Sequence, residues 1–178
     1  MREVFYGVTS QGVAPYIFVM KDMICSFFGH REIEQTEELC ATVTAEIIKS
    51  VVLGCRIFYF GGFGEFDALC YKIVSNIRKE HPELGIKRVF CVPQERFLRK
   101  PPRYLRREDF EEIIYLMPSF DGWYKSIYFR NLAMIDESDI IIFYAEEREG
   151  SGAYKAFKYA RGCKGKTVTN LYTGHHFV

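Results

Sequence analysis

The chain has 178 residues, enough for one domain with a continuous core and short for two independent ones. Its 48% hydrophobic and 26% charged residues lie near the globular average, which excludes disordered and fibrous classes. Twenty-four basic against twenty-three acidic side chains leave a net charge of +1, so no overall field draws the chain to nucleic acid or to an anionic membrane, and both are set aside as partners.

Residues 1–20 lack the basic start, apolar run and small-residue cleavage site of a secretory signal, and no stretch reaches the about 18 apolar residues of a membrane span. A cytoplasmic protein is therefore expected. Tyr16-Ile17-Phe18-Val19 is apolar enough for a strand, but Gly12 and Pro15 break what precedes it, so 1–20 read as an N-terminal appendage to a single domain over 21–178. From residue 23 onward, short runs rich in β-branched and aromatic residues alternate with longer helical stretches. Strands are predicted near 23–28, 56–60, 87–92, 113–116, 139–144 and 166–171, and helices near 34–53, 65–80, 124–136 and 151–162. In the first helix Leu39, Val43, Ile47 and Val51 form one apolar face; in the second, Leu69, Ile73 and Ile77 do so until His81-Pro82 ends it. This pattern predicts an α/β fold: a Rossmann-like, doubly wound, mainly parallel sheet with helices on both faces, in three layers.

The least regular stretch, 93–112, holds Pro93, Pro101 and Pro102 and reads as a loop over the sheet's edge. Its basic cluster (Arg96, Arg99, Lys100, Arg103, Arg106 and Arg107) reads as a solvated face. The six cysteines show no CxxC pair and no histidine at zinc-ligand spacing, so no metal site is predicted; Cys25, in an apolar run, reads as a small buried hydrophobe.

In open α/β sheets ligands bind where strand ends lead into helix N-termini. Four such loops are predicted: Phe28 to Arg31, Gly61 to Asp67, Ser119 to Tyr124, and Glu149 to Gly152. In the second, Gly61-Gly62-Phe63-Gly64 lies between a strand and a helix, where glycines let a ligand approach the backbone and helix amides attract an anion. The same turn is also explained by steric need alone. Ser151, beside Gly150 and Gly152, is a natural N-cap as well as a phosphate contact. Arg31 and Arg130 can reach one rim and fork onto a phosphate, or lie on the surface. Trp123 and Tyr124 can stack on a base or cap a core. Asp67 and Glu65 open a helix, where carboxylates stabilise the dipole; as functional groups Asp67 is the better ribose ligand. His30 is a candidate acid or base.

Several of these blocks, read together, resemble the SLOG superfamily, named for the Smf/DprA and LOG proteins, and especially its YpsA-like branch. The resemblance is carried over about residues 24–172 by Cys25 to Arg31 (CSFFGHR), Gly61 to Leu69 (GGFGEFDAL), Arg130-Asn131 with Met134, Ser138-Asp139, and Ser151-Gly152 with Tyr159-Ala160. It implies a Rossmann-like sheet and a role in binding nucleotides or nucleotide-derived ligands. It implicates Gly29, Arg31, the Gly61 to Gly64 turn, Asp67, Arg130, Asn131, Ser151 and Gly152, to which Ser119, in the third loop, is added as a ligand contact. LOG-type members cleave the N-glycosidic bond of nucleoside monophosphates with a PGGxGTxxE motif; here Phe60, Glu65 and Ala68 stand at its proline, threonine and glutamate.

Three functions follow as expectations. The first is a sensor or carrier of a phosphate-bearing, nucleotide-derived small molecule, bound at the carboxyl ends of the parallel strands. The second is a LOG-like hydrolase in which Asp67 or Glu65 supplies the catalytic carboxylate. The third is a DNA-associated scaffold using the basic 96–107 stretch, against which the balanced charge argues. The sequence assigns no cofactor and leaves a homo-oligomer open.

Overall fold

A computed structural model of the chain describes residues 3–9, 12–18, 22–95, 109–116 and 122–172. Strands β1 (Glu3–Thr9) and β2 (Gly12–Phe18) pair antiparallel as a hairpin, forming a two-stranded sheet of their own. Gly12 and Pro15 therefore do not break the chain. Thr9 pairs with Gly12 across a two-residue connection, and counting alternate pairs back from that closure puts Pro15 opposite Tyr6 at a position that donates nothing to the ladder.

The main sheet contains β3 (Met23–Gly29), β4 (Cys55–Phe60), β5 (Lys87–Cys91), β6 (Glu112–Ile114), β7 (Ile140–Tyr144) and β8 (Thr167–Asn170), in the order β6-β5-β4-β3-β7-β8. All its neighbouring strands pair in parallel. Helices α1 (Glu37–Val52), α2 (Glu65–Glu80), α3 (Trp123–Glu137) and α4 (Gly152–Gly162) connect them. The result is the predicted α/β three-layer, Rossmann-like fold.

The strands read as continuous apolar runs because both faces are covered. Cys25 and Phe27 of β3, Phe58 and Phe60 of β4, and Ile140 and Ile142 of β7 pack under α1 and α2, with Leu39, Val43, Phe66 and Leu69. The alternate residues Ile24, Phe28, Tyr59, Ile141 and Phe143 pack under α3 and α4, with Met134, Ile135, Ala156 and Ala160. Cys25, Cys55, Cys70 and Cys91 are all buried thiols, pushed up in pKa by that burial.

The three-residue edge strand β6 is held by charge more than by length. Arg88 donates to both carboxylate oxygens of Glu111, at 3.0 and 2.7 Å, and Tyr71 Oη donates to the Asp109 carbonyl at 2.7 Å. This forked pair fixes the edge where the chain arrives from 96–108, which lies outside the described residues, as does the basic cluster it carries.

The strands are added outward from β3 through β4 and β5 to β6, and the chain then returns to place β7 on the other side of β3. That reversal leaves a crevice at the carboxyl ends of β3 and β7, the place where ligands bind in folds of this kind.

Candidate functional site

A cavity of about 860 Å³ opens at this crevice. Its walls come from the residues after β3 (Gly29 to Glu34), the turn after β4 (Gly61, Phe63 and Asp67), the segment from Tyr144 to Lys155, and α3 (Tyr124, Ile127, Tyr128, Arg130 and Asn131), with Tyr172 beyond β8. Of the sequence-predicted residues, Gly29, Arg31, Gly61, Asp67, Arg130, Asn131, Ser151 and Gly152 are brought together on it. Gly62, Gly64 and Glu65 lie behind the wall, and Ser119 lies outside the described residues.

The glycine turn differs in chemistry from its sequence reading. The Gly61 and Gly62 amides donate at 3.0 and 2.9 Å to the two carboxylate oxygens of Asp67, six and five residues later. The anion nest at these two positions is therefore filled from within, by a side chain with only 4% of its surface exposed. Burial pushes the Asp67 carboxyl up to about 6, against the Gly61 amide, Arg130 and the Gly62 amide, which pull it down.

Arg130, a candidate phosphate contact or surface arginine by sequence, lines the cavity but is buried. It is 2% exposed, and its guanidinium donates to the carbonyls of Gly61 at 2.8 Å and Cys91 at 2.6 Å, and to Asn131 Oδ1 at 2.9 Å. It ties the ends of β4 and β5 to α3 instead of reaching out as a surface fork. A Cβ on Gly61 would stand 3.1 Å from its terminal nitrogens, a tight approach that would push the guanidinium by a few tenths of an ångström.

Gly29 is required by packing. A Cβ at this position would fall 2.4 Å from the ring of Phe66, which is fully buried under the first turn of α2. Gly64 has φ of +91°, and a Cβ on it would stand 3.0 Å from the Arg31 Cα and from the His30 carbonyl oxygen. Glu65 closes the same junction: its amide donates to the Arg31 carbonyl at 2.8 Å, and its carboxylate accepts the Ile33 amide at 2.8 Å. Glu65, a candidate catalytic carboxylate by sequence, thus has one carboxylate oxygen engaged in holding the β3–α1 connection.

His30 accepts the Glu146 amide on Nε2 at 2.8 Å, which requires that nitrogen to be unprotonated. Burial and Arg148 hold the imidazole below its ordinary pKa, against Glu146. Tyr144 and Tyr172 meet its ring edge-on. Further along the segment that carries Glu146, Ser151 is the N-cap of α4, its hydroxyl accepting the Tyr154 amide at 3.2 Å, while Gly152, Ala153 and Lys155 of that first turn line the cavity. Among the described residues no helix is long and apolar enough to cross a membrane.

Sequence reasoning missed Tyr128, Tyr144, Arg148, Lys155 and Tyr172 as wall residues. Two carried a usable signal: Tyr128 stands four residues after Tyr124 and Lys155 four after Ser151, each one helical turn along the same face. Arg148 was hidden in the acidic run Glu146 to Glu149.

No family model matches the chain, and no curated protein matches it. Solved structures do. DNA processing protein A (DprA) from Streptococcus pneumoniae superposes with a TM-score of 0.58 at 14% identity, over 83% of this chain and 49% of that one. DNA processing protein A from Helicobacter pylori, whose structure is described for its single-stranded DNA binding mode, gives 0.55 at 13% identity, over 86% and 67%. This chain thus spans about half the length of the Streptococcus pneumoniae protein.

The Helicobacter pylori structure corrects one expectation. Nucleic acid was set aside on net charge, yet a protein of this fold binds single-stranded DNA. Net charge counts charges without locating them, whereas a strand is held by a local field, so the balance of +1 does not exclude such a partner. At these identities the likeness is one of fold, and the Rossmann-like fold is what this protein shares with them.

Proposed function

We propose that this protein binds a nucleotide or a nucleotide-derived, phosphate-bearing ligand at the carboxyl ends of β3, β4 and β7, in a sensor or carrier role. One observation carries the reading: the cavity at the strand reversal joins the first turn of α4, Arg148 and Lys155 on one wall to the rings of Tyr124 and Tyr128 on another. A helix N-terminus with two cations suits a phosphate, and the tyrosine rings suit a base. Its volume of about 860 Å³ is in the range of small-molecule sites. The phosphate is assigned to α4 because Asp67 already occupies the Gly61 and Gly62 amides. Arg31 lines the same cavity and serves in this reading as a further phosphate contact. The finer kinship with the YpsA-like branch belongs to this proposal too.

Phosphate, sugar and base are common to a free nucleotide and to single-stranded DNA, so thermal unfolding is followed with AMP, ADP-ribose, NAD and a short oligothymidylate as separate arms. A ligand at a hundred times its Kd adds about 2.7 kcal/mol, a rise in Tm of about 5 to 10 °C for a chain of this size. Arg148→Ala with Lys155→Ala is expected to abolish the shift. If no arm raises Tm, the reading is wrong.

A second reading has one observation in its favour. Asp67 reaches the cavity wall with its carboxyl pushed up to about 6, suited to a general acid in hydrolysis of an N-glycosidic bond. Release of free base from nucleoside monophosphates would support it, and a rate unchanged in Asp67→Asn would remove it.

A further inference from the structure

Helix α3 turns one face to the cavity. Tyr124, Ile127, Tyr128 and Asn131 follow one another at three, one and three residues, and all of them line it. Exposure falls along this face, from Tyr124 at 78% through Tyr128 at 46% to the half-buried Asn131, so the helix descends into the crevice. Asn131 stands beside the buried Arg130, whose guanidinium is held in turn by the carbonyls of Gly61 and Cys91.

This neighbour fixes the orientation of the Asn131 amide. Arg130 Nε donates to it at 2.9 Å, and a guanidinium carries no acceptor, so the atom facing Arg130 is Oδ1. Oδ1 is thereby turned toward the buried side, and the planar amide leaves Nδ2, with its two hydrogens, as the polar atom on the cavity side. Among the described residues Nδ2 has no hydrogen-bond acceptor. Elsewhere on this face the only side-chain acceptors are two tyrosine hydroxyls, because the acidic wall residues Glu32, Glu34 and Glu146 come from the segments after β3 and β7.

We propose that Asn131 reads the base of the bound nucleotide, selecting an exocyclic oxo group, as in hypoxanthine, guanine, uracil or thymine, over the amino group of adenine or cytosine. The inference rests on the reading of the cavity as a nucleotide site with the base on the tyrosine rings. A base lying on Tyr128 turns an edge to the next helical turn, where Asn131 follows after about 4.5 Å of rise. An oxo oxygen at that edge accepts from Nδ2. An amino group there sets donor against donor, and Nδ2 gives up its water without gaining a partner. Asparagine grips adenine through Oδ1 and Nδ2 together, and here Arg130 holds Oδ1 away from the ligand.

Calorimetric titration of the full chain with IMP against AMP, and with UMP against CMP, tests this, since each pair exchanges an oxo for an amino group on the same ring. IMP and UMP are expected to bind about tenfold more tightly than their partners. Asn131→Asp keeps an oxygen for Arg130 and presents an acceptor to the base, so the preference reverses to AMP and CMP. Its added charge weakens every phosphate-bearing ligand alike, and the ratio within a pair is therefore the readout. Asn131→Ala brings each ratio to about one. Equal affinities within both pairs, or a preference for AMP and CMP in the parent, overturn the inference and leave the nucleotide site standing. An oxo preference unchanged in Asn131→Asp also overturns it, since another group would then read the base. If no nucleotide of either pair binds, the inference falls together with the reading on which it rests.

Discussion

At Asp67, burial and hydrogen bonding pull in opposite directions, and the outcome sets a pH dependence. Burial raises the carboxyl from 3.8 to about 6, while the two glycine amides and Arg130 oppose it. Because the folded-state pKa lies above the unfolded one, the stabilisation tied to this proton is complete below about pH 4 and is lost as pH rises through about 6. The difference is on the order of 3 kcal/mol. Asp67→Asn removes the titration and presents one oxygen to two amides, leaving a buried N–H unsatisfied at a cost of about 1–3 kcal/mol. The variant is thus expected to be less stable than the parent, by the most near pH 4 and by the least near pH 7. Urea unfolding of both proteins across this range measures it. A penalty that grows with pH would mean that the amides and Arg130 outweigh burial. The glycines of this turn were legible in the sequence, but what fills it was not. Spacing shows that Asp67 lies within a helical turn of Gly64, and says nothing of a carboxylate folding back onto Gly61 and Gly62. Arg130 was equally opaque: its partners, Gly61 and Cys91, are 69 and 39 residues away.

At the scale of elements, periodicity was a sufficient guide wherever packing obeys it. Strands β3, β4, β5 and β7 and all four helices lie where alternation and apolar faces put them, because each buries a surface that the sequence displays locally. Ser151 was readable as a cap for the same reason, since the bond it makes spans three residues. The failures occur where partners are distant or chemistry replaces pattern. Strand β6 was predicted near 113–116 and lies at Glu112–Ile114, but what pins it there, the pair Arg88 and Glu111 separated by 23 residues, was not readable. The hairpin was missed because proline and glycine were weighed as breakers without a register. Once Thr9 and Gly12 are paired, Pro15 sits where no amide is asked for. The turn at Gly29 was read for a ligand, when its lack of a Cβ is already needed by the Phe66 ring from α2. Tertiary crowding of that kind leaves no trace in the spacing of either residue.

For the whole molecule, the charge balance that misled about nucleic acid still predicts how such a ligand would respond to salt. A net charge of +1 provides no long-range field, and the cavity itself mixes Arg31, Arg148 and Lys155 with Glu32, Glu34 and Glu146. Only contacts made directly to phosphates can then release counterions. For single strands, log K falls with log salt by about 0.7 per phosphate neutralised. If an oligothymidylate binds through Arg148, Lys155 and the first turn of α4, one or two phosphates are engaged, and the slope is expected between about −0.7 and −1.4. The basic residues Arg96, Arg99, Lys100, Arg103, Arg106 and Arg107 offer a competing contact. Engaging all of them would steepen the slope to about −4. Fluorescence anisotropy titrations at several salt concentrations separate the two, because the values differ by more than any plausible error in the intercept. A slope steeper than about −3, unchanged in Arg148→Ala with Lys155→Ala, would move the strand from the cavity to the 96–107 stretch. A shallow slope abolished by the same pair of substitutions would hold it at α4, where the strand reversal of the sheet puts the crevice.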